Sequence, residues 1–408
     1  MTRWRPLRAI VALGGCAWAM APALALDAPA PLASAETAPM SSLSPQSREG
    51  PGGSTLRPVD FGALAGWARD DHAAAFATFL RTCRALTGAT PALRPGLAPA
   101  PALLDACEAA LAIRDVGPEQ ARLFFETRFQ PLEIAPREGQ GFLTGYYEPE
   151  VEGSLTPGPD FPTPVLGRPD DLVTIPSGVD RGGLDPALAA ARRTPSGLEP
   201  YADRAAIQDG ALAGRGLELL YLRDDVELFL AQVQGSARVR LPDGSVLRMV
   251  YAGRNGHPYA SIGRIIVSEG RMTLEEMSLE RLKAWLRQNP AEARRIMRMN
   301  RSYIFFAIGQ GMDPAAGPIG AASVPLTPGR SIAVDRGLWS YGLPFWIDAD
   351  LTSATGSAWS RLMIAQDTGS AILGPARADI FFGSGAEAGT KAGLVRHPGR
   401  FVVLEPRS

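Results

Sequence analysis

"RLMIAQDTGSAILGPARADIFFGSG" (residues 361–385) is the stretch on which the reading of the fold turns. Two strand-like apolar runs, Leu362–Ala365 and Ile380–Phe382, flank a turn rich in glycine, and each meets an aspartate. Asp367 follows the first run and Asp379 opens the second. Aspartate is a poor strand former and resists burial. The pair therefore either caps turns or does chemistry. Asp379 lies between Ala378 and Ile380-Phe381-Phe382, an apolar setting that raises a carboxyl pKa by desolvation. A carboxyl that keeps its proton near neutrality is what a general acid needs. On spacing alone a turn cap explains Asp379 as well, and Asp367-Thr368-Gly369 looks still more like a turn. Asp335, closing Ile332-Ala333-Val334, repeats the pattern.

Outward from this stretch, the order of elements is helices, strands, helices, strands. Residues 62–129 carry helical spacing, as in Trp67, Phe76, Phe79, Leu80 and Cys83. Short strand-like runs dominate from Gly141 to about Val267. The clearest is a hairpin with Val239 and Leu241 before Asp243-Gly244 and Val246, Leu247 and Met249 after it. Helices are expected again over 273–299, with capping patterns at Thr273-x-x-Glu276 and Asn289-Pro290-Ala291-Glu292. Strands and Gly/Pro turns then run from Ile304 to the end. Without a regular βαβ alternation this is an α+β protein, mainly β, with barrel-like β parts. Its 44 glycines and 36 prolines make about a fifth of 408 residues, against roughly 12% in ordinary chains, and suit many turns.

The N-terminus reads as a targeting segment. Arg3, Arg5 and Arg8 precede an apolar run, and Ala23-Leu24-Ala25 fits a cleavage site, giving a signal peptide over 1–25. Leu13-Gly14-Gly15-Cys16 also resembles a lipobox, with a lipoprotein signal over 1–15 and an outer-membrane lipid anchor through Cys16; both readings stay open. Either places the product in the periplasm. Residues 26–58 are poor in bulky side chains and are expected as a disordered linker. Beyond the leader, only Cys83 and Cys107 remain, either bridged, as an oxidising compartment favours, or two buried thiols. Two cysteines and three scattered histidines give no metal site, and no cofactor fingerprint is present. A formal charge of −1 gives no reason to expect nucleic acid.

Two further regions could line a site. "GFLTGYYEPEVEGS" (141–154) combines adjacent tyrosines, glycines, Glu148 and Glu150, a mixture of aromatic faces and polar groups that suits sugar rings. A strand ending at a proline turn with one tyrosine buried explains it equally. "VQGSA" (233–237) and "YAGRNGHPYASIGR" (251–264) are dense in hydrogen-bonding side chains and glycine, as ligand loops or internal interfaces are.

Taken with "GAASVPLTPGRSIAVD" (320–335), these stretches resemble, in order over residues 60–408, the membrane-bound lytic transglycosylase A family. The segments around Asp335, Asp367 and Asp379 are similar to the three-aspartate signature of double-psi β-barrels acting on cell walls. The resemblance implies a double-psi barrel from residues 59–150 and 312–408, an inserted β-rich domain over 151–311, and a glycan groove between them. It implies cleavage of the β-1,4 bond between N-acetylmuramic acid and N-acetylglucosamine in peptidoglycan glycan strands, by a monomer without cofactor. Asp379 then corresponds to the catalytic acid and Asp367 to the second aspartate of the site. Thr144, Tyr147, Gln234, Ser236 and Asp335 become candidates for holding the glycan. Where the family commonly has a second glycine and a lysine after Asp367, this chain has Ser370 and Leu373; Arg377 lies close enough in sequence to stand in. Two alternatives remain: a hydrolase in which Asp367 or Glu148 activates water, and a non-catalytic wall-binding module.

Overall fold

The computed structural model describes residues 47–175, 181, 183–310 and 316–407. The expected leader, with Cys16, and residues 26–46 of the expected linker lie outside the described residues.

Three α-helices, His72–Thr87, Pro101–Ala112 and Pro118–Arg128, follow two short N-terminal strands. Asp71 caps the first by accepting the Ala74 N–H at 3.0 Å, and prolines open the other two, where no N–H is needed. A Cys83–Cys107 disulfide ties the first helix to the second. Their apolar faces, including Phe76, Phe79 and Phe125, pack on Trp346, Leu362 and Val402 of a large sheet.

That sheet has ten strands, in the order 48–49, 55–58, 129–135, 400–406, 344–349, 359–367, 331–334, 377–384, 142–148 and 396–398. Period-two alternation fills both of its faces. Trp346 lies under the helices, while its neighbours Phe345 and Ile347 join Leu56, Leu143, Ile332 and Ile380 in a second core. The α+β class holds. The ladder does not close on itself among the described residues, with 48–49 and 396–398 left as edges.

The linker expectation fails over its last stretch. Thr55–Pro58 pairs antiparallel with Phe129–Ala135, and Arg48–Glu49 pairs with Thr55–Pro58 in turn. Composition misses this because a ladder is built from backbone, and one leucine suffices to anchor it: Leu56 is 2% exposed.

A second sheet of six strands runs in the order 304–308, 246–254, 236–240, 150–154, 218–222 and 163–166. The Asp243-Gly244 hairpin forms as read, with Arg240 opposite Val246 and Gly244 at φ +84°. Of the helices expected over 273–299, two form, Leu279–Gln288 and Pro290–Met299, the first starting later than its capping pattern suggested. Thr273 and Glu276 do exchange capping hydrogen bonds, but around a turn that no helix continues. Asn289 donates back to the Trp285 carbonyl at 2.8 Å, closing one helix instead of capping the next.

The two sheets meet at Pro149. Strand Phe142–Glu148 belongs to the first, and Glu150–Ser154 to the second. Glu148, fully buried at this junction, is ion-paired to Arg238 at 3.1 Å and Arg248 at 2.8 Å, both from second-sheet strands. It also accepts from Ser384 Oγ at 2.6 Å.

Candidate active site

Register brings the site together. Asp367 lies opposite Ala333, Ala333 opposite Asp379, and Asp379 opposite Thr144, so one row of side chains crosses four strands on one face. Asp367 reaches that face through a bulge. Ile332 pairs with Ala365 but the next residue, Ala333, pairs with Asp367, so Gln366 is the extra residue. The bulge turns Asp367 away from the core that Ala365 fills. Buried Gln366 is fixed by donating to Thr78 O at 3.0 Å and Thr82 Oγ at 2.7 Å on the first helix.

Asp379 is half-buried on the strand Arg377–Ser384. The Thr144 hydroxyl donates to its Oδ1 at 2.6 Å, and Arg377 Nη2 donates to the Thr144 oxygen at 2.7 Å. Desolvation pushes the Asp379 carboxyl up to about 6; Arg377 and the Thr144 hydrogen bond oppose the rise, and the Asp367 charge adds to it. The result is an acid with one oxygen held and its proton retained up to about pH 6.

Asp367, 8% exposed, accepts three hydrogen bonds: Tyr146 OH at 2.9 Å, Ala321 N at 3.0 Å and Thr368 N at 2.8 Å. Burial, then the Asp367 and Asp379 charges, hold the Tyr146 phenol well above its usual range, so it stays a donor. No hydrogen bond joins Asp367 to Asp379; they act on each other through the field.

The remaining candidates divide. Thr144 stands in the row. Tyr147 does not: one residue further along the strand, its ring faces the other way, against Ala388 and Ala392 of helix Gly385–Leu394. A Cβ on Gly389 would come within 2.8 Å of that ring. Tyr146 takes the place expected of Tyr147. Asp335 spends both oxygens on the turns around it, accepting from Gly337 N at 2.9 Å and Gly374 N at 2.8 Å. Gln234 accepts the Tyr147 N–H at 3.1 Å, tying helix Asp225–Gln234 to the site strand. Ser236 is 7% exposed at the start of a second-sheet strand. Sequence reading passed over Tyr146, although counting two residues from Thr144 puts it on the same face.

Thr144→Val keeps the β-branched shape but removes the donor to Asp379. The alkaline limb of activity is expected to move up by about one pH unit, since an ionised carboxylate loses a hydrogen bond. A pH–rate series on both proteins checks this; an unmoved limb contradicts it.

Fold and site define a carboxylate-centred site carried on one row of the ten-stranded sheet. The sequence comparisons then supply the family. Residues 142–307 match the MltA specific insert domain, and residues 330–405 match the 3D domain. The chain is 34% identical over 276 residues to the membrane-bound lytic murein transglycosylase A of Vibrio cholerae, a match spanning 66% of each chain. The crystal structure of a membrane-bound lytic murein transglycosylase from Agrobacterium tumefaciens is 41% identical, with a TM-score of 0.79, covering 86% of this chain and 98% of that one. The structure of E. coli MltA with bound chitohexaose is 28% identical, with a TM-score of 0.60, covering 83% and 91%. The chain belongs to the membrane-bound lytic murein transglycosylase A family.

Proposed function

We infer that this chain is a peptidoglycan lytic transglycosylase with Asp379 as its acid and base. The observation that carries the reading is a carboxyl pushed up to about 6 in a protein of this family, with Thr144 holding one of its oxygens. The protonated carboxyl gives its proton to the oxygen of the muramic acid–glucosamine bond, and the C1–O bond breaks. The oxocarbenium-like centre left at C1 is stabilised by the nearby Asp367 carboxylate. Asp379, now ionised, takes the proton of the sugar's own 6-hydroxyl as that oxygen bonds to C1. A 1,6-anhydro ring forms, and water is not consumed.

The pieces around the pair fit this economy. Glu148 is closed off by two arginines and Ser384, and Asp367 by three donors, so neither carboxylate is left to activate water as a hydrolase requires. The parallel pairings of 331–334 with 359–367 and of 377–384 with 142–148 support a double-psi barrel for the first sheet, extended back to residue 48. The second sheet and a small three-stranded sheet of 172–174, 190–194 and 197–200 would form the inserted domain over 151–311, with glycan lying between. E. coli MltA binds chitohexaose, which supports a glycan of similar backbone here. We place the protein in the periplasm, where the disulfide is at home, acting as a monomer.

Activity requires the protonated form, so kcat/KM is expected to fall as pH rises through about 6. A profile flat from about pH 4 to 9 contradicts a carboxyl acid. The reaction itself is tested by digesting purified peptidoglycan sacculi in heavy-oxygen water. Unlabelled soluble fragments are expected. Labelled reducing ends would make the protein a hydrolase, and sedimentation with sacculi without release would make it a binding module.

A further inference from the structure

Three arginines converge beside the turn that follows Asp367. Arg94 comes from the loop between the first two helices and donates Nη1 to Thr368 O at 2.6 Å. Arg254 ends a second-sheet strand and donates Nη1 to Ser370 Oγ at 2.7 Å. Arg336 follows Asp335 and donates Nη1 to Pro95 O at 2.9 Å, pinning the Arg94 loop. All three are partly exposed, and Ser370 is open to solvent.

The cluster is built. Tyr251 pairs with Phe306 but Gly253 pairs with Phe305, so Ala252 is an extra, bulged residue. The bulge puts Tyr251 and Arg254 on one side of the strand. Arg168 holds it by donating to Ala252 O at 3.0 Å. The Tyr251 ring lies 4.2 Å below the Arg94 guanidinium. Tyr341 OH donates to Arg94 O at 2.9 Å, and Leu97 N donates to Arg336 O at 3.1 Å.

Among the described residues none of the three arginines has an ion-pair partner. The adjacent carboxylates are occupied: Asp335 by the N–H groups of Gly337 and Gly374, Asp367 by Tyr146, Ala321 and Thr368. Burial lowers the Arg254 pKa, and the Arg336 and Arg94 charges lower it further against an opposing effect of Tyr251. Like charges held together, in a chain of net charge −1, call for an anion.

We propose that Arg94, Arg254 and Arg336 form an anion subsite at the rim of the active site, which takes a carboxylate carried by the glycan. The inference rests on the transglycosylase reading. A murein glycan bears such a group on its lactyl ether, either as the free lactyl carboxylate or in the peptide attached there. Arginine recognises it through paired N–H donors.

The test uses the full chain carrying Asp379→Asn, so that glycans persist, and measures affinity for three probes. Chitohexaose is neutral, bare N-acetylmuramyl glycan carries free lactyl carboxylates, and peptide-bearing glycan carries peptide carboxylates. Adding Arg254→Gln or Arg336→Gln is expected to weaken at least one carboxylated probe about tenfold and leave chitohexaose unchanged. Which probe weakens identifies the source of the carboxylate. Without either arginine change, affinity for that probe should fall with added salt while chitohexaose affinity stays level. Equal losses on all probes, unchanged affinities, or salt effects shared by chitohexaose would overturn the subsite while leaving the transglycosylase reading intact. Failure to bind any of the three glycans would overturn both.

Discussion

Asp379→Asn is expected to slow fragment release from peptidoglycan by a factor on the order of 10³, while making the protein more stable at neutral pH. The loss follows because asparagine has no proton to give, although its carbonyl still accepts from Thr144. The gain follows from linkage. Folding raises the Asp379 pKa from 3.8 to about 6, so the native state binds more protons than the unfolded chain between those values. Stability therefore falls as pH rises through that window, by on the order of 2 kcal/mol once partial solvent access is allowed for. Asparagine escapes this loss. Thermal unfolding of the two proteins should agree near pH 4 and diverge by pH 7, with the variant melting higher. A variant that melts lower at pH 7 contradicts a strained acid.

Glu148→Ala is expected to destabilise the protein by about 3–5 kcal/mol, the cost of leaving buried charges without their counter-ion. Glu148 is fully buried, and Arg248 is 7% exposed. Without the carboxylate, Arg248 keeps hydrogen bonds to Ala316 O and Gly317 O but faces Arg238 with no negative charge between them. The junction between the two sheets, two residues along the strand from Tyr146, would loosen with it. Urea denaturation measures the change, and a loss under about 1 kcal/mol would mean that the junction relaxes around the gap.

How much of this was legible from sequence depends on how local each signal is. The first three helices, the Asp243-Gly244 hairpin and the strand character around Asp367 and Asp379 are short-range patterns, and they stand. The Cys83–Cys107 bridge is one of the two readings the sequence left open, the one an oxidising compartment favours. What escaped is set by register between distant strands. Tyr146 and Tyr147 are chemically equal neighbours, and only the pairing of 142–148 with 377–384 decides which one faces Asp367. The bulge at Gln366 that aims Asp367 has no sequence mark except a buried polar residue where an apolar one is usual. Asp335 carries the same aspartate-after-strand pattern as Asp367, yet it caps turns. The arginine cluster draws on residues 94, 254 and 336, too far apart in the chain for any spacing rule to join them.

The claim at the centre is that Asp379 holds its proton close to neutrality in the folded protein. Infrared difference spectra between the wild-type chain and Asp379→Asn, collected across pH, isolate that single carboxyl. A protonated carbonyl band that disappears with a midpoint near 6 is the expected result. A midpoint at or below 3.8 would contradict the account, because an ordinary carboxylate there could not serve as the acid.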